Sequence, residues 1–233
     1  LARSYGYKEH GEVIHNGVDL QKFQIPNSKF QIKSKAQNPK TIITTSRLVP
    51  KNGIDILIKA IVEVKKAIPN IQCWIIGDGP EKVSYQLLVT SNRLEANIKF
   101  FGEVPHEKIP EYLYRADIFV RPSRSEGMGN SFVEALAAGL PIIGTRVGGI
   151  TDIIKDGETG IFVKDDDPQD LSKKIIKLIQ DPELSSFIAK RGSKMVETNF
   201  SWDGIARKYR SIFDNHYRGE TSIVRTIEVS PLY

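Results

Sequence analysis

Cysteine is nearly absent. The 233 residues hold one, Cys73, so no internal disulfide can form and a reducing, cytoplasmic setting fits. It sits inside IQCWIIG, where a lone cysteine serves as a small core side chain rather than a nucleophile. Histidine is scarce too. His10, His15, His106 and His216 are dispersed, and no His/Cys/Asp spacing suggests a metal site. No apolar run approaches the roughly 18 residues needed to span a bilayer. The chain has no signal-peptide pattern. It begins with Leu1 rather than Met, and an excerpt of a longer gene product is expected. Net charge is +5, yet no run of five or more Lys/Arg exists. Basic residues are not interleaved with aromatics, which argues against a nucleic-acid groove. A solvated surface, an anionic membrane or an anionic small ligand stays open. The loop signatures GxxxxGK[ST] and GxGxxG are also missing, so neither a Walker loop nor a nicotinamide fingerprint is present.

What is present is an ordinary globular composition, 40% hydrophobic and 26% charged, sufficient for a packed core. Residues 1–38 lack periodicity and read as a linker leading into a domain, the remnant of an interdomain connection. From Thr41 onward, short β-branched or apolar runs alternate with helical patterns. Strands are expected at 41–46, 71–77, 98–102, 117–123, 141–145 and 160–164. Helices are expected between them, at 54–62 and onward to Pro69, at 81–94 and at 106–116. More follow from Asn130 to Ala138, near 150, and at 168–180 and 182–196. Six near-continuous apolar strands with intervening helices argue an α/β fold. The sheet is a doubly wound, parallel, six-stranded, Rossmann-like one. The domain is placed at 39–200, a C-terminal helix at 201–216 and a tail at 217–233. Ile205, Tyr209, Ile212 and Phe213 share one face of that last helix. Ligands of such sheets sit outside the carboxyl ends of the strands, where strand order reverses. The informative loops therefore follow Ser46, Ile76, Phe101, Pro122 and Thr145.

The most informative stretch is Arg121 to Gly149, RPSRSEGMGNSFVEALAAGLPIIGTRVGG. Glu126 and Glu134 flank a glycine loop of Gly127 and Gly129, and a helix starts at Asn130 and Ser131. Free backbone N–H groups at a helix start point outward and favour an anion. The Ser131 hydroxyl adds a donor. Arg47 and Lys51 sit in the loop after the first strand, at the same sheet edge. An arginine fork with a lysine point charge suits a diphosphate. Taken alone, both are surface residues of a loop; with the glycine loop beside them, phosphate binding is the stronger reading. Glu126 precedes the loop, and Glu134 is expected on the first turn of the following helix. Each can accept from vicinal hydroxyls of a ribose or hexose. A hydrolytic acid/base pair is weaker, because no second acidic pair with a substrate cleft is visible.

These residues resemble the signature of retaining glycosyltransferase family 4, the glycosyl transferases group 1, whose E-x7-E motif corresponds to Glu126 and Glu134. The likeness extends in order through VIHNGVD (13–19), TSRLVPKNGIDILIKA (45–60), WIIGDGPE (74–81), IKFFGEVP (98–105), DGETGIFV (156–163) and FSWDGIARKY (200–209). An isolated E-x7-E is weak, whereas the ordered set is specific. The resemblance implies half of a GT-B enzyme, the C-terminal domain that binds a nucleotide diphosphate sugar, UDP- or GDP-linked, as substrate. It implies no cofactor and no metal, retention of anomeric configuration, and an N-terminal acceptor domain not contained in this chain.

By position, the resemblance assigns Arg47 and Lys51 to the donor diphosphate, with help from backbone N–H groups of Ser131 and Phe132. Glu134 would accept from the ribose and Glu126 would face the sugar. Gly102 would border the base, while Gly77 and Gly79 would let the backbone pass close by. The family usually carries Lys directly before the glycine of the RLxPxKG loop. Asn52 stands there, with Lys51 one place earlier, so Asn52 could bond a phosphate but adds no charge. An incomplete enzyme, inactive as this isolated domain, is the expectation. The other readings are a non-catalytic nucleotide-sugar sensor and an epimerase or phosphorylase of the same architecture. A phosphorylase would need a pyridoxal lysine that no flanking motif singles out. Contact with the inner face of a membrane remains open as a further partner.

Overall fold

The computed structural model describes residues 14–24 and 40–217. Most of the expected linker, 1–13 and 25–38, and the expected tail beyond 217 lie outside the described residues. A short helix α1 (Leu20–Phe23) comes first. There follow β1 (Thr41–Thr45), a 3-10 turn (Pro50–Asn52), α2 (Ile54–Ala67), β2 (Gln72–Ile76), α3 (Lys82–Ser91) and β3 (Ile98–Gly102). Next are a 3-10 turn (His106–Lys108), α4 (Ile109–Leu113), β4 (Ile118–Arg121), α5 (Asn130–Ala137), β5 (Ile142–Thr145), α6 (Ile150–Ile153) and β6 (Ile161–Val163). The chain closes with α7 (Pro168–Gln180), α8 (Pro182–Asn199) and α9 (Trp202–Tyr217).

The six strands form one sheet in the order β3-β2-β1-β4-β5-β6, and every pair is parallel. The chain builds outward from β1 to β3, then returns to the other side of β1 with β4. The reversal lies between β1 and β4, so the crevice at their carboxyl ends is the topological switch point.

Both faces of the sheet are covered, which is why the strands read as continuous apolar runs. Successive residues nonetheless go to opposite layers. Ile42, Ile118, Val120 and Ile143 join one core cluster with α2 and α7. Ile43, Phe119, Ile142 and Phe162 join the other with α5 and the end of α8. Phe119 and Phe132 are fully buried and meet edge-on at 5.2 Å; each side chain contributes about 1.5–3 kcal/mol by burial. Cys73 belongs to the other cluster, beneath α2 and α7, and burial pushes its thiol up to about 12, which suits an inert side chain.

Local signals set the helix ends. Asp167 accepts from the Gln169 and Asp170 amides ahead of Pro168, and Asp181 accepts from Leu184 ahead of Pro182. Each such cap is worth about 1 kcal/mol. Ser201 accepts from the Gly204 amide in the same way. The segment 106–116 is not one helix. It is a 3-10 turn running into a short α4 with Pro110 in its first turn, where a proline lacks the amide to continue an earlier helix. On α9 Ile205 is buried and Ile212 is half-buried, while Tyr209 and Phe213 are exposed, so the expected common apolar face is not buried as one. Part of the expected leading linker is packed. The Val18 amide donates to Phe200 O at 2.8 Å, and Phe23 is buried. No helix among the described residues is long and apolar enough to cross a membrane.

Candidate functional site

The loop after β1 carries Arg47 and then the 3-10 turn of Pro50, Lys51 and Asn52. Arg47 and Lys51 are exposed, whereas Asn52 is buried. The Asn52 Nδ2 donates to Arg47 O at 2.6 Å, so its amide fixes the backbone beneath the arginine instead of standing free in the cleft. Arg124 fixes the other half of the loop. Its amide donates to Lys51 O at 2.7 Å and its Nη1 donates to Pro50 O at 2.6 Å. Its fork grips Asp55 through 2.9 and 2.8 Å bonds, and its Nε reaches Asp166 at 2.6 Å. Burial alone would raise the Asp55 carboxyl, but the bonds and charge of Arg124 outweigh it and hold it below the ordinary value of 3.8.

The loop after β4 faces this one. Glu126 is largely buried, and both of its oxygens are engaged. One oxygen pairs with Arg121, and the other accepts from the Gly127 amide at 3.1 Å. Gly129 caps α5 at φ 77°, a left-handed conformation that glycine adopts without strain. Among the described residues nothing accepts from the Asn130 and Ser131 amides. These two donors head an eight-residue helix and carry its positive end. The Phe132 amide differs from the expectation. It donates to Gly129 O at 2.9 Å, because the first turn closes on the cap, so it is already committed.

Glu134 is also placed differently. With Gly129 as cap, it is the fifth residue of α5 and no acid occupies the first turn. A helical side chain leans toward the N-terminus, so Glu134 reaches back over the first turn. There its Oε1 lies 2.9 Å from His106 Nε2.

The remaining glycines stack the loops. A Cβ on Gly77, whose φ is 130°, would strike Ser46 O, and one on Gly79 would strike Leu48 O. The close approach at both is to the β1 loop itself. Gly102 bridges to Gly77, accepting its amide at 2.8 Å, and stands at the end of β3. Gly149 donates to Gly127 O at 2.6 Å, which seats the β5 loop on the β4 loop. The linker reaches the same loop, since the Asn16 amide lies 3.0 Å from Met128 Sδ.

Arg47, Lys51, Asn52, Arg121 and Glu126, with Val49 and Pro50, line one open cleft of about 590 Å³. Gly127, Gly129, Asn130, Ser131 and Glu134 follow Glu126 along the chain, in the loop after β4 and in α5, but do not line the cleft themselves. Gly77, Gly79 and Gly102 stand at the β2 and β3 ends and do not line it. Two participants carry no mark in a glycine-loop reading. Arg121 ends β4 at the 6% level of exposure. Its Nη1 donates to Ser131 Oγ at 2.7 Å and to Thr45 O at 3.3 Å, and its guanidinium lies over Phe132. Burial lowers its pKa and the Glu126 charge opposes that. A charge inside the strand IFVR was the signal, because a buried guanidinium needs a partner. His106 had no such signal, being joined to Glu134 across 28 residues.

A parallel sheet with cations after one central strand and an acid-flanked glycine loop after the next, meeting at the switch point, defines a Rossmann-like ligand-binding domain. The model of the glycosyl transferases group 1 family matches residues 27–195, and the chain belongs to that family. It is 30% identical over 227 residues to the GDP-mannose-dependent monoacylated alpha-(1-6)-phosphatidylinositol monomannoside mannosyltransferase of Corynebacterium glutamicum. That match takes in 92% of this chain and 59% of the relative. It is 30% identical over 209 residues to the GPI3 subunit of the phosphatidylinositol N-acetylglucosaminyltransferase of Saccharomyces cerevisiae, 87% of this chain and 45% of that one. The chain thus spans about half the length of the curated relatives it matches. Among solved structures it resembles the C-terminal domain of a glycosyl transferase group 1 protein, LpcC, of Francisella tularensis. The TM-score is 0.70 at 28% identity, over 80% of this chain and 100% of that one. The fold is shared with Anabaena Alr3699/HepE in complex with UDP-glucose, at TM-score 0.76 and 23% identity, over 88% of this chain and 57% of that one. The architecture is therefore that of the C-terminal half of a GT-B fold.

Proposed function

We propose that this chain is the donor-binding half of a retaining glycosyltransferase that moves a sugar from a nucleoside diphosphate to an acceptor. The observation that carries the reading is the meeting of Arg47 and Lys51 with the Glu126 loop in one cleft at the switch point. Arg47 and Lys51 hold the diphosphate, and the Ser131 amide at the head of α5 adds a donor. Glu134 accepts from the ribose hydroxyls, and Glu126 faces the donor sugar. When the bond between the sugar C1 and the diphosphate oxygen breaks, negative charge grows on the leaving phosphate. The two cations and the helix start offset it.

The acceptor is held by a second domain, so the isolated chain binds donor without transferring it. The names of both curated relatives include phosphatidylinositol, which favours an acceptor at a membrane surface and peripheral contact there. Calorimetric titration of the folded chain with UDP, GDP and ADP, and with their sugars, tests the reading. Binding of one nucleoside diphosphate in preference to its nucleoside is the expected result. No binding to any of them overturns it.

A further inference from the structure

Three cations and one carboxylate line the donor cleft: Arg47, Lys51 and Arg121 with Glu126. Asn52 lines it without charge. Glu126 is an awkward neighbour for a dianionic diphosphate, because like charges in a poorly solvated cleft repel strongly. Its side chain is 15% exposed, so water screens that repulsion little. Arg121 is the group that faces Glu126 from beneath. Its side chain is 8% exposed, and it reaches both sides of the glycine loop at once. One guanidinium nitrogen pairs with Glu126 ahead of the loop. The other donates to Ser131 Oγ beyond it, at 2.7 Å, while Thr45 O anchors the same nitrogen to the end of β1 at 3.3 Å. The planar fork makes this geometry possible, and a lysine could not reproduce both arms.

We propose that Arg121 is the positioning residue of the donor cleft. It joins Glu126 to Ser131 across the glycine loop, and its charge offsets that of Glu126 so that a carboxylate can stand beside the donor diphosphate. The inference rests on the donor-binding reading and deepens it. The cleft then presents a net positive charge to a diphosphate although Asn52 contributes none. Arg121 does not touch the donor. It acts through Glu126 and through the Ser131 hydroxyl, which keeps its own hydrogen to donate while its oxygen accepts from Arg121.

Titration of the chain with UDP and with GDP separates this role from simple support of the fold. Neither probe carries a sugar, so the sugar contact of Glu126 is out of play. Glu126→Gln keeps shape and removes the carboxylate charge, and it is expected to tighten binding by roughly threefold or more. Arg121→Met is expected to weaken it by roughly tenfold, the loss of a charge-assisted network. The double variant, Arg121→Met with Glu126→Gln, is expected to recover most of that loss. A supporting role alone gives the reverse pattern: Glu126→Gln binds no tighter than wild type, and the double variant binds no better than Arg121→Met. Either result overturns the proposal. Thermal melts by circular dichroism report folding, and if Arg121→Met does not fold, the Glu126→Gln result decides by itself. Absence of UDP and GDP binding by the wild-type chain strikes instead at the donor-binding reading, and this inference falls with it.

Discussion

His106 Nε2 lies 2.9 Å from Glu134 Oε1, tying the loop after β3 to helix α5. The two residues bring together the β3 end, where the base is proposed, and the acid proposed for the ribose. His106 is mostly exposed, at 58%, while Glu134 is 17% exposed. An exposed pair of this kind is worth about 0.2–1 kcal/mol. His106→Ala is therefore expected to change UDP or GDP affinity by less than about fivefold. Glu134→Ala is expected to cost roughly tenfold or more. It should also erase the preference for UDP over its 2′-deoxy analogue, since the lost contacts are to ribose hydroxyls. Competition titrations with both nucleotides measure this. A histidine variant that loses as much as the glutamate variant would place the nucleotide on His106 itself.

Arg47 and Glu126 line the cleft from the loops after β1 and β4 and should respond differently. Arg47 is exposed, so its removal leaves the fold intact. Hydrogen bonds from a charged group contribute about 1.5–3 kcal/mol, so Arg47→Ala should weaken nucleoside diphosphate binding by roughly ten- to hundredfold. Glu126→Ala should not weaken it, because the diphosphate gains nothing from that carboxylate and is repelled by its charge. Isothermal calorimetry on the two variants decides, and the reverse order would undo the assignment of roles.

The sheet was legible in the sequence because each strand is buried on both faces. Runs such as TIITT and IFVR need no partner pattern to be read, and strand–helix alternation then fixes parallel order. The cleft was legible where a residue type has one use: a glycine before a helix, an acid on each side, cations in a facing loop. What was hidden depends on three-dimensional detail. Whether Glu134 falls in the first or second turn depends on which residue caps α5, and that is Gly129 rather than a residue with a capping side chain. The commitment of the Phe132 amide follows from the same cap. Asn52 read as a weakened phosphate ligand, but its Nδ2 serves the backbone of Arg47. His106 meets Glu134 through a contact that no local pattern encodes.

The Asp55–Arg124 pair predicts acid sensitivity. The folded-state pKa of Asp55 is depressed, so its contribution to stability is fully present above the ordinary carboxylate value. That contribution is lost as pH falls below 3.8, toward and through the folded-state value. Asp55→Asn should reduce stability at neutral pH and flatten the fall in melting temperature on acidification below about pH 4. Because Arg124 also holds Pro50 and Lys51, Arg124→Ala should lower nucleotide affinity as well as stability. Melts between neutral and acid pH, with titrations at neutral pH, test both statements. An Asp55→Asn chain as acid-sensitive as wild type would show that other carboxylates govern the transition.

Gly148 and Gly127 make the sharpest contrast in the seating of the Glu126 loop. Gly148 has φ 49°, and a Cβ there would run into Glu126 O, far inside van der Waals contact. A Cβ on Gly127 meets nothing within 4 Å. Left-handed strain costs a non-glycine residue about 1–3 kcal/mol, and the backbone clash adds to it because no flexible side chain can yield. Gly148→Ala should lower the melting temperature by roughly 5–10 °C, at 2–4 °C per kcal/mol for a domain of this size. It should also displace the backbone of the glycine loop that leads into α5, and so weaken nucleotide binding through the helix start. Gly127→Ala, an exposed change in open space, should stay within about 0.5 kcal/mol of wild type. Its amide bond to Glu126 is a backbone contact that alanine keeps. Differential scanning calorimetry of the two variants side by side is the measurement. Equal melting temperatures would mean that the β5 loop does not seat the β4 loop.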